Sequence, residues 1–136
     1  MFEFFEHTAD LGLRVTADSV EELYIEAARG FFSLIVENLD DVRPEQDRSF
    51  TINGTDHSYL LFDWLNELLY VFDTTHLLLA DFKVTLDESG LRAVARGEPW
   101  DPDRHHLTHE VKAITYHGLE VTRSDDTWRA EVIVDI

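Results

Sequence analysis

The chain contains no cysteine. Disulfides, thiolate metal centres and cysteine nucleophiles are therefore excluded. Positive charge is also scarce. Eleven Lys and Arg stand against 28 Asp and Glu, for a formal net charge of −17. So few cations cannot displace the counterions of a nucleic acid, and direct nucleic-acid binding is not expected. A cationic partner, a bound metal ion, or both would suit the charge. Adaptation to a salty cytoplasm would suit it equally, and charge alone does not separate the two. No apolar run approaches the length of a membrane span. The N-terminus has no basic start, apolar run and cleavage site of the kind a signal peptide carries. A cytoplasmic address with no membrane partner is the expectation. Nucleophile elbows and phosphate-cradling glycine loops are missing too. Ser33 and Ser58 fall within helical patterns and Ser19 serves as a cap, so a free-standing hydrolase would lack its nucleophile.

What is present reads as one globular domain over residues 1–136, with 44% hydrophobic and 12% aromatic residues. Residues 1–17 read as extended, interrupted by a polar turn over residues 7–12, and Leu11, Leu13 and Val15 alternate with Gly12, Arg14 and Thr16. Ser19-Val20-Glu21-Glu22 matches a capping box. The following apolar positions, Val20, Leu23, Tyr24, Ala27, Ala28, Phe31, Leu34 and Ile35, predict an amphipathic helix over residues 20–37. Residues 48–53 form a short strand, and Asn53-Gly54 marks a turn. Thr55 or Asp56 caps a second helix, whose stripe of Leu61, Trp64, Leu65, Leu68, Leu69 and Phe72 is core. Leu78, Ala80, Phe82, Val84 and Leu86 alternate, as do Leu91, Ala93 and Ala95, around an Asp87-Glu88-Ser89-Gly90 hairpin turn. Residues 97–109 read as an irregular loop. Residues 111–123 are extended with a bulge or bend at Gly118, and Trp128, Ala130, Val132 and Val134 alternate to the end. The fold class is α+β, a mainly antiparallel β-sheet with two packed amphipathic helices.

Two places invite chemistry. Phe5-Glu6-His7-Thr8-Ala9-Asp10-Leu11-Gly12 sets a carboxylate on a turn, where Asp10 either bonds its own turn or serves a site. The last strand ends in Asp135 and Ile136, which offer a carboxylate and an α-carboxylate. If the first loop met that end, the three oxygen donors would suit Ca²⁺, Mg²⁺ or Mn²⁺ better than Zn²⁺. Spacing alone does not establish that they meet. His105-His106-Leu107-Thr108-His109 is a rival cluster, with His117 beyond it. Without a helix to fix the imidazoles, a solvated loop is the better reading. His57 and His76 flank the second helix and need no catalytic role.

Three stretches together resemble the archease family: residues 5–12, Trp64-Leu65-Asn66-Glu67-Leu68-Leu69-Tyr70, and Lys112-Ala113-Ile114-Thr115-Tyr116-His117-Gly118-Leu119-Glu120-Val121. The Gly97-Glu98-Pro99-Trp100-Asp101-Pro102 loop and the terminal Val134-Asp135-Ile136 fit as well. The resemblance implies strand–helix–strand–strand modules, one set into another. It also implies a small activator of RtcB-type tRNA-splicing ligases, which promotes guanylylation of the ligase's active-site His and multiple turnover and is not itself a ligase. The implied metal ligands are Asp10, Asp135 and Ile136, with Ca²⁺ as the ion and Mn²⁺ or Mg²⁺ as alternatives. His7, Lys112, Tyr116 and His117 are candidate partner contacts. A small metal-dependent hydrolase and a passive chaperone or protein-binding module stand as the competing classes.

Overall fold

The computed structural model describes residues 1–7 and 10–136; of His7 only the main chain is described. The strands are β1 (Phe2–His7), β2 (Asp10–Ala17), β3 (Gln46–Asn53), β4 (Leu77–Asp87), β5 (Gly90–Pro99), β6 (Ala113–Ser124) and β7 (Thr127–Asp135). The helices are α1 (Val20–Ile35) and α2 (His57–Thr75). They form two antiparallel sheets, ordered β1-β2-β7-β6 and β3-β5-β4. The α+β class is as expected, with the strands divided between two sheets. β3-α2-β4-β5 is one strand–helix–strand–strand unit. It is inserted after α1 into a second unit built from β2, α1, β6 and β7.

The helices begin where local chemistry dictates. Ser19 Oγ accepts from the Glu22 N–H at 3.1 Å. Asp56 Oδ1 accepts from Ser58 N at 2.9 Å and Tyr59 N at 3.1 Å, satisfying donors that the first turn leaves unpaired. α1 lies against β2 of one sheet and β4 of the other. It therefore buries more than one stripe: Leu23, Tyr24, Ala27, Ala28, Phe31, Phe32 and Leu34 are all fully buried. α2 packs mainly on β6. Its Trp64 donates Nε1–H to the Tyr24 carbonyl at 3.0 Å and meets Phe50 edge-on at 5.2 Å, so the indole is both buried and satisfied. Each such buried large apolar side chain contributes about 1.5–3 kcal/mol.

Several local expectations are corrected. The strands reach His7 and resume at Asp10, so the first turn is shorter than residues 7–12, and its Thr8 and Ala9 lie outside the described residues. Gly12 sits within β2, opposite Phe5. A Cβ there would lie 2.1 Å from Phe5 Cζ, so the Phe5 ring covers the space a side chain would take, and no turn conformation is involved. Ala80 falls at a register shift between Leu79 and Asp81, which breaks the expected alternation and leaves Leu77, Leu78 and Leu79 all buried. β5 runs on through Gly97 to Pro99, so the loop begins later than residue 97.

The segment that follows is not a solvated loop throughout. His105 is 2% exposed. His106, Thr108 and His109 close the C-terminal end of α1: Thr108 N donates to Ile35 O at 2.9 Å, Thr108 Oγ1 donates to Leu34 O at 2.8 Å, and Glu37 N donates to His106 O at 2.8 Å. The last turn of α1 has no basic residue, and Thr108 supplies donors to its carbonyls.

Gly97 provides a stability test. A Cβ at this position would lie 1.7 Å from the Leu78 carbonyl oxygen and 2.8 Å from Leu79 Cα. Both obstacles are main chain in the paired neighbour, so relief requires β4 and β5 to separate. Gly97→Ala is expected to cost on the order of 3 kcal/mol, read as a lowered urea midpoint with an unchanged slope. An unchanged midpoint would contradict the close approach.

Candidate functional site

The end of the four-stranded sheet collects the predicted residues in one line. β2 and β7 are antiparallel with Leu11 opposite Val134. One residue further along each strand stand Asp10 and Asp135. His7 pairs with Asp10 on the β1 side, and Ala113 pairs with Asp135 on the β6 side. Lys112 N donates to Asp135 O at 2.8 Å, which holds the chain end against β6. Directly opposed Cα atoms in such a ladder lie about 4.5–5.5 Å apart. The strands that carry Asp10 and Asp135 therefore run side by side up to these two residues, which spacing alone left open.

Side-chain direction follows from the pleat. Leu13, Val15, Val132 and Val134 face the core, each 0–1% exposed. Alternation sends Asp10 and Asp135 to the opposite face. On that face, behind them, Arg14 Nε meets Glu131 Oε1 at 3.1 Å and Arg14 Nη1 meets Glu3 Oε1 at 2.9 Å. The guanidinium also lies over the Phe5 ring, 4.8 Å from its centroid. Cross-strand neighbours on this face thus touch. A cation shared between two carboxylates set as neighbours there would offset their mutual repulsion. Asp10 and Asp135 are half-buried, and Ile136 packs against the core.

Carboxylate and main-chain oxygens are hard donors and fit a calcium- or magnesium-like ion by chemistry. Among the described residues no group of three or more His, Cys, Asp or Glu side chains is arranged to hold a metal. The Asp10–Asp135 pair would need a further oxygen, from Ile136 or from a partner.

The other candidate contacts distribute along β6. Lys112 is exposed beside the line. Tyr116 and His117 lie about 10 Å further along the strand, inside an irregular stretch where the register shifts between Thr115 and Glu120. The expected bulge is there, with Gly118 at φ +70°. Three extra β6 residues in that stretch turn Tyr116 onto Tyr59 of α2, rings 4.9 Å apart and 12° from parallel. Tyr59 escaped the sequence reading because its partner is distant in the chain.

The imidazole cluster does not assemble. His105 Nδ1 accepts from Asp101 N at 2.9 Å, so by that pattern Nε2 carries the proton and faces Glu98 Oε2 at 3.3 Å. Glu98 is 3% exposed; it also accepts from Arg43 N at 2.5 Å and pairs with Arg104. Burial acts to raise its carboxyl pKa, but the bonds from Arg43, Arg104 and His105 outweigh that and hold it below the usual range. His57 meets Trp128 edge-on at 5.4 Å. His76 caps α2 in the left-handed region at φ 57°.

Residues 2–136 match the model of the Archease protein family (MTH1598/TM1083). The chain belongs to the archease family. It is similar to the archease of Methanopyrus kandleri, 46% identical over 139 residues with 99% of each chain covered. The Pyrococcus furiosus archease is 38% identical over 140 residues, covering 99% of this chain and 98% of that one. Among solved structures, the solution structure of Methanobacterium thermoautotrophicum protein 1598 superposes with a TM-score of 0.87 at 36% identity, covering 99% of this chain and 98% of the other. The crystal structure of a Thermotoga maritima archease, described as a possible chaperone, shares the archease fold with a TM-score of 0.67 at 23% identity, covering 100% and 98%. Among the described residues of this archease-family chain, no helix is long and apolar enough to cross a membrane.

Proposed function

We propose that this archease-family protein is an accessory activator of an RtcB-type tRNA-splicing ligase in the cytoplasm. It promotes guanylylation of the ligase's active-site His and repeated turnover, and performs no ligation itself. Asp10, Asp135 and a main-chain oxygen of Ile136 hold a divalent cation, Ca²⁺ by preference, with Mn²⁺ or Mg²⁺ acceptable to the same donors. When bound, the ion would neutralise the two carboxylates and offer open positions to phosphate oxygens. The residues themselves form the tip that enters the ligase, and His7 and Lys112 flank it.

The observation that carries this reading is the register of β2 against β7, with Leu11 opposite Val134. It makes neighbours of two carboxylates that are 125 residues apart in sequence. Hard oxygen donors brought together at the end of a sheet suit a shared divalent cation. The charge of −17 fits the same partner, because an enzyme that binds RNA and nucleotide presents an electropositive mouth to which an acidic tip is steered.

Joining of tRNA halves by a cognate ligase tests the proposal. Wild-type protein should stimulate joining, Asp10→Ala should leave the rate of ligase alone, and the protein without ligase should join nothing. Equal stimulation by Asp10→Ala would favour a passive chaperone, and hydrolysis or joining without ligase would favour an enzyme.

A further inference from the structure

A second contact surface lies where α2 meets β6. Tyr59 and Tyr116 stack as described, and Phe62 meets Tyr116 edge-on at 5.3 Å. Tyr59 is nonetheless 58% exposed and Tyr116 38% exposed. Both rings are held in place by built features. Tyr59 sits in the first turn of α2, where Asp56 accepts its N–H. Tyr116 sits in the β6 bulge. Ser58 Oγ accepts from Val121 N at 2.9 Å, fastening the start of α2 to β6 just beyond the bulge. An aromatic surface ordered in advance gives up little entropy on binding, and tyrosine is enriched among the residues that anchor protein interfaces.

The surroundings select the occupant. Asp56 lies close enough to Tyr116 to help raise its phenol pKa, after desolvation and the hydrogen bond with Tyr59. Exposed Asp63, one helical turn on from Tyr59 in α2, adds negative charge beside it. The two cation–π contacts found among the described residues lie elsewhere, at Phe5 and Trp128. Ring faces amid carboxylates attract a guanidinium or ammonium group and repel the phosphates of a nucleic acid.

We propose that the Tyr59–Tyr116 shelf docks basic side chains, arginine foremost, on the rim of the ligase mouth that receives the Asp10–Asp135 tip. The inference rests on the ligase-activator reading above and adds a surface to it. β6 itself links the two, running from Ala113 beside Asp135 to Tyr116. The shelf supplies affinity and the tip supplies activation.

The test is calorimetric binding of the cognate ligase, paired with ligation rate against protein concentration. The Tyr59→Ala, Tyr116→Ala double variant should bind about tenfold more weakly. Its half-maximal concentration should rise in step, while saturating stimulation stays at the wild-type level. Phe at both positions should restore binding, since the ring faces remain. If the double variant loses its fold by circular dichroism, Tyr59→Ala alone, at the more exposed ring, should still weaken binding severalfold. Unchanged ligase binding by a folded alanine variant overturns the shelf and leaves the activator reading standing. So does lost affinity for a single-stranded RNA oligonucleotide in place of lost affinity for the ligase. Absence of any binding by the wild type overturns the activator reading and the shelf with it.

Discussion

Replacing Glu98 by Ala is expected to lower stability by on the order of 3 kcal/mol at neutral pH. Glu98 is the acceptor on which three groups from two separated segments converge: the Arg43 N–H, and the Arg104 guanidinium and His105 imidazole. Without it the Arg43 N–H and a buried imidazole lose their partner. Arg104 is partly exposed and can turn to solvent, which limits the loss. The effect should depend on pH with a definite sign. The folded carboxyl pKa is lower than the unfolded one. Its contribution is therefore fully present above the ordinary carboxylate value of 4.5 and is lost as pH falls through the lower, folded value. Urea midpoints of wild type and Glu98→Ala should differ widely at pH 7 and converge as pH falls below the ordinary carboxylate range. A gap that stays constant with pH would mean the cost is one of packing alone.

The largest functional effect is expected at Asp135, and it should come without a structural penalty. Asn keeps the size of Asp, exchanging one acceptor oxygen for an NH2 donor, while removing one of two neighbouring like charges. Relief of that repulsion is worth roughly 0.2–1 kcal/mol, so Asp135→Asn should unfold at the same temperature as wild type or slightly above it. If the carboxylate serves the ligase, stimulation should nonetheless be lost. Functional sites commonly show this split, since groups placed for chemistry are seldom placed for stability. A clear fall in melting temperature would mean that Asp135 supports the fold, and the repulsion argument would not hold.

The helices and strands were legible because their signals are local. Ser19 and Asp56 announce their caps, and Leu13, Val15, Val132 and Val134 show their faces by alternation alone. The division into two sheets was not legible, since pairing β2 with β7 joins residues more than a hundred positions apart. The burial of Glu98 and His105 was hidden for a related reason. In sequence they read as polar loop residues, and only the convergence of Arg43 and Arg104 makes their burial tolerable. Gly12 looked like a turn residue because the ring that excludes its Cβ belongs to Phe5, across a hairpin. At the tip, Asp10 and Asp135 could each be singled out, but their adjacency depended on a register that no local pattern encodes. Tyr116 was visible as a motif residue; its stacking on Tyr59 required the length of the β6 bulge.

The central claim is that the paired carboxylates at the sheet end act on a ligase. Guanylylation of a cognate RtcB-type ligase's active-site His, followed with labelled GTP, reads it directly. Wild-type protein should accelerate the formation of the ligase–GMP adduct, while folded Asp10→Ala and Asp135→Asn should leave it at the unassisted rate. Acceleration by both variants equal to that of wild type would contradict the claim.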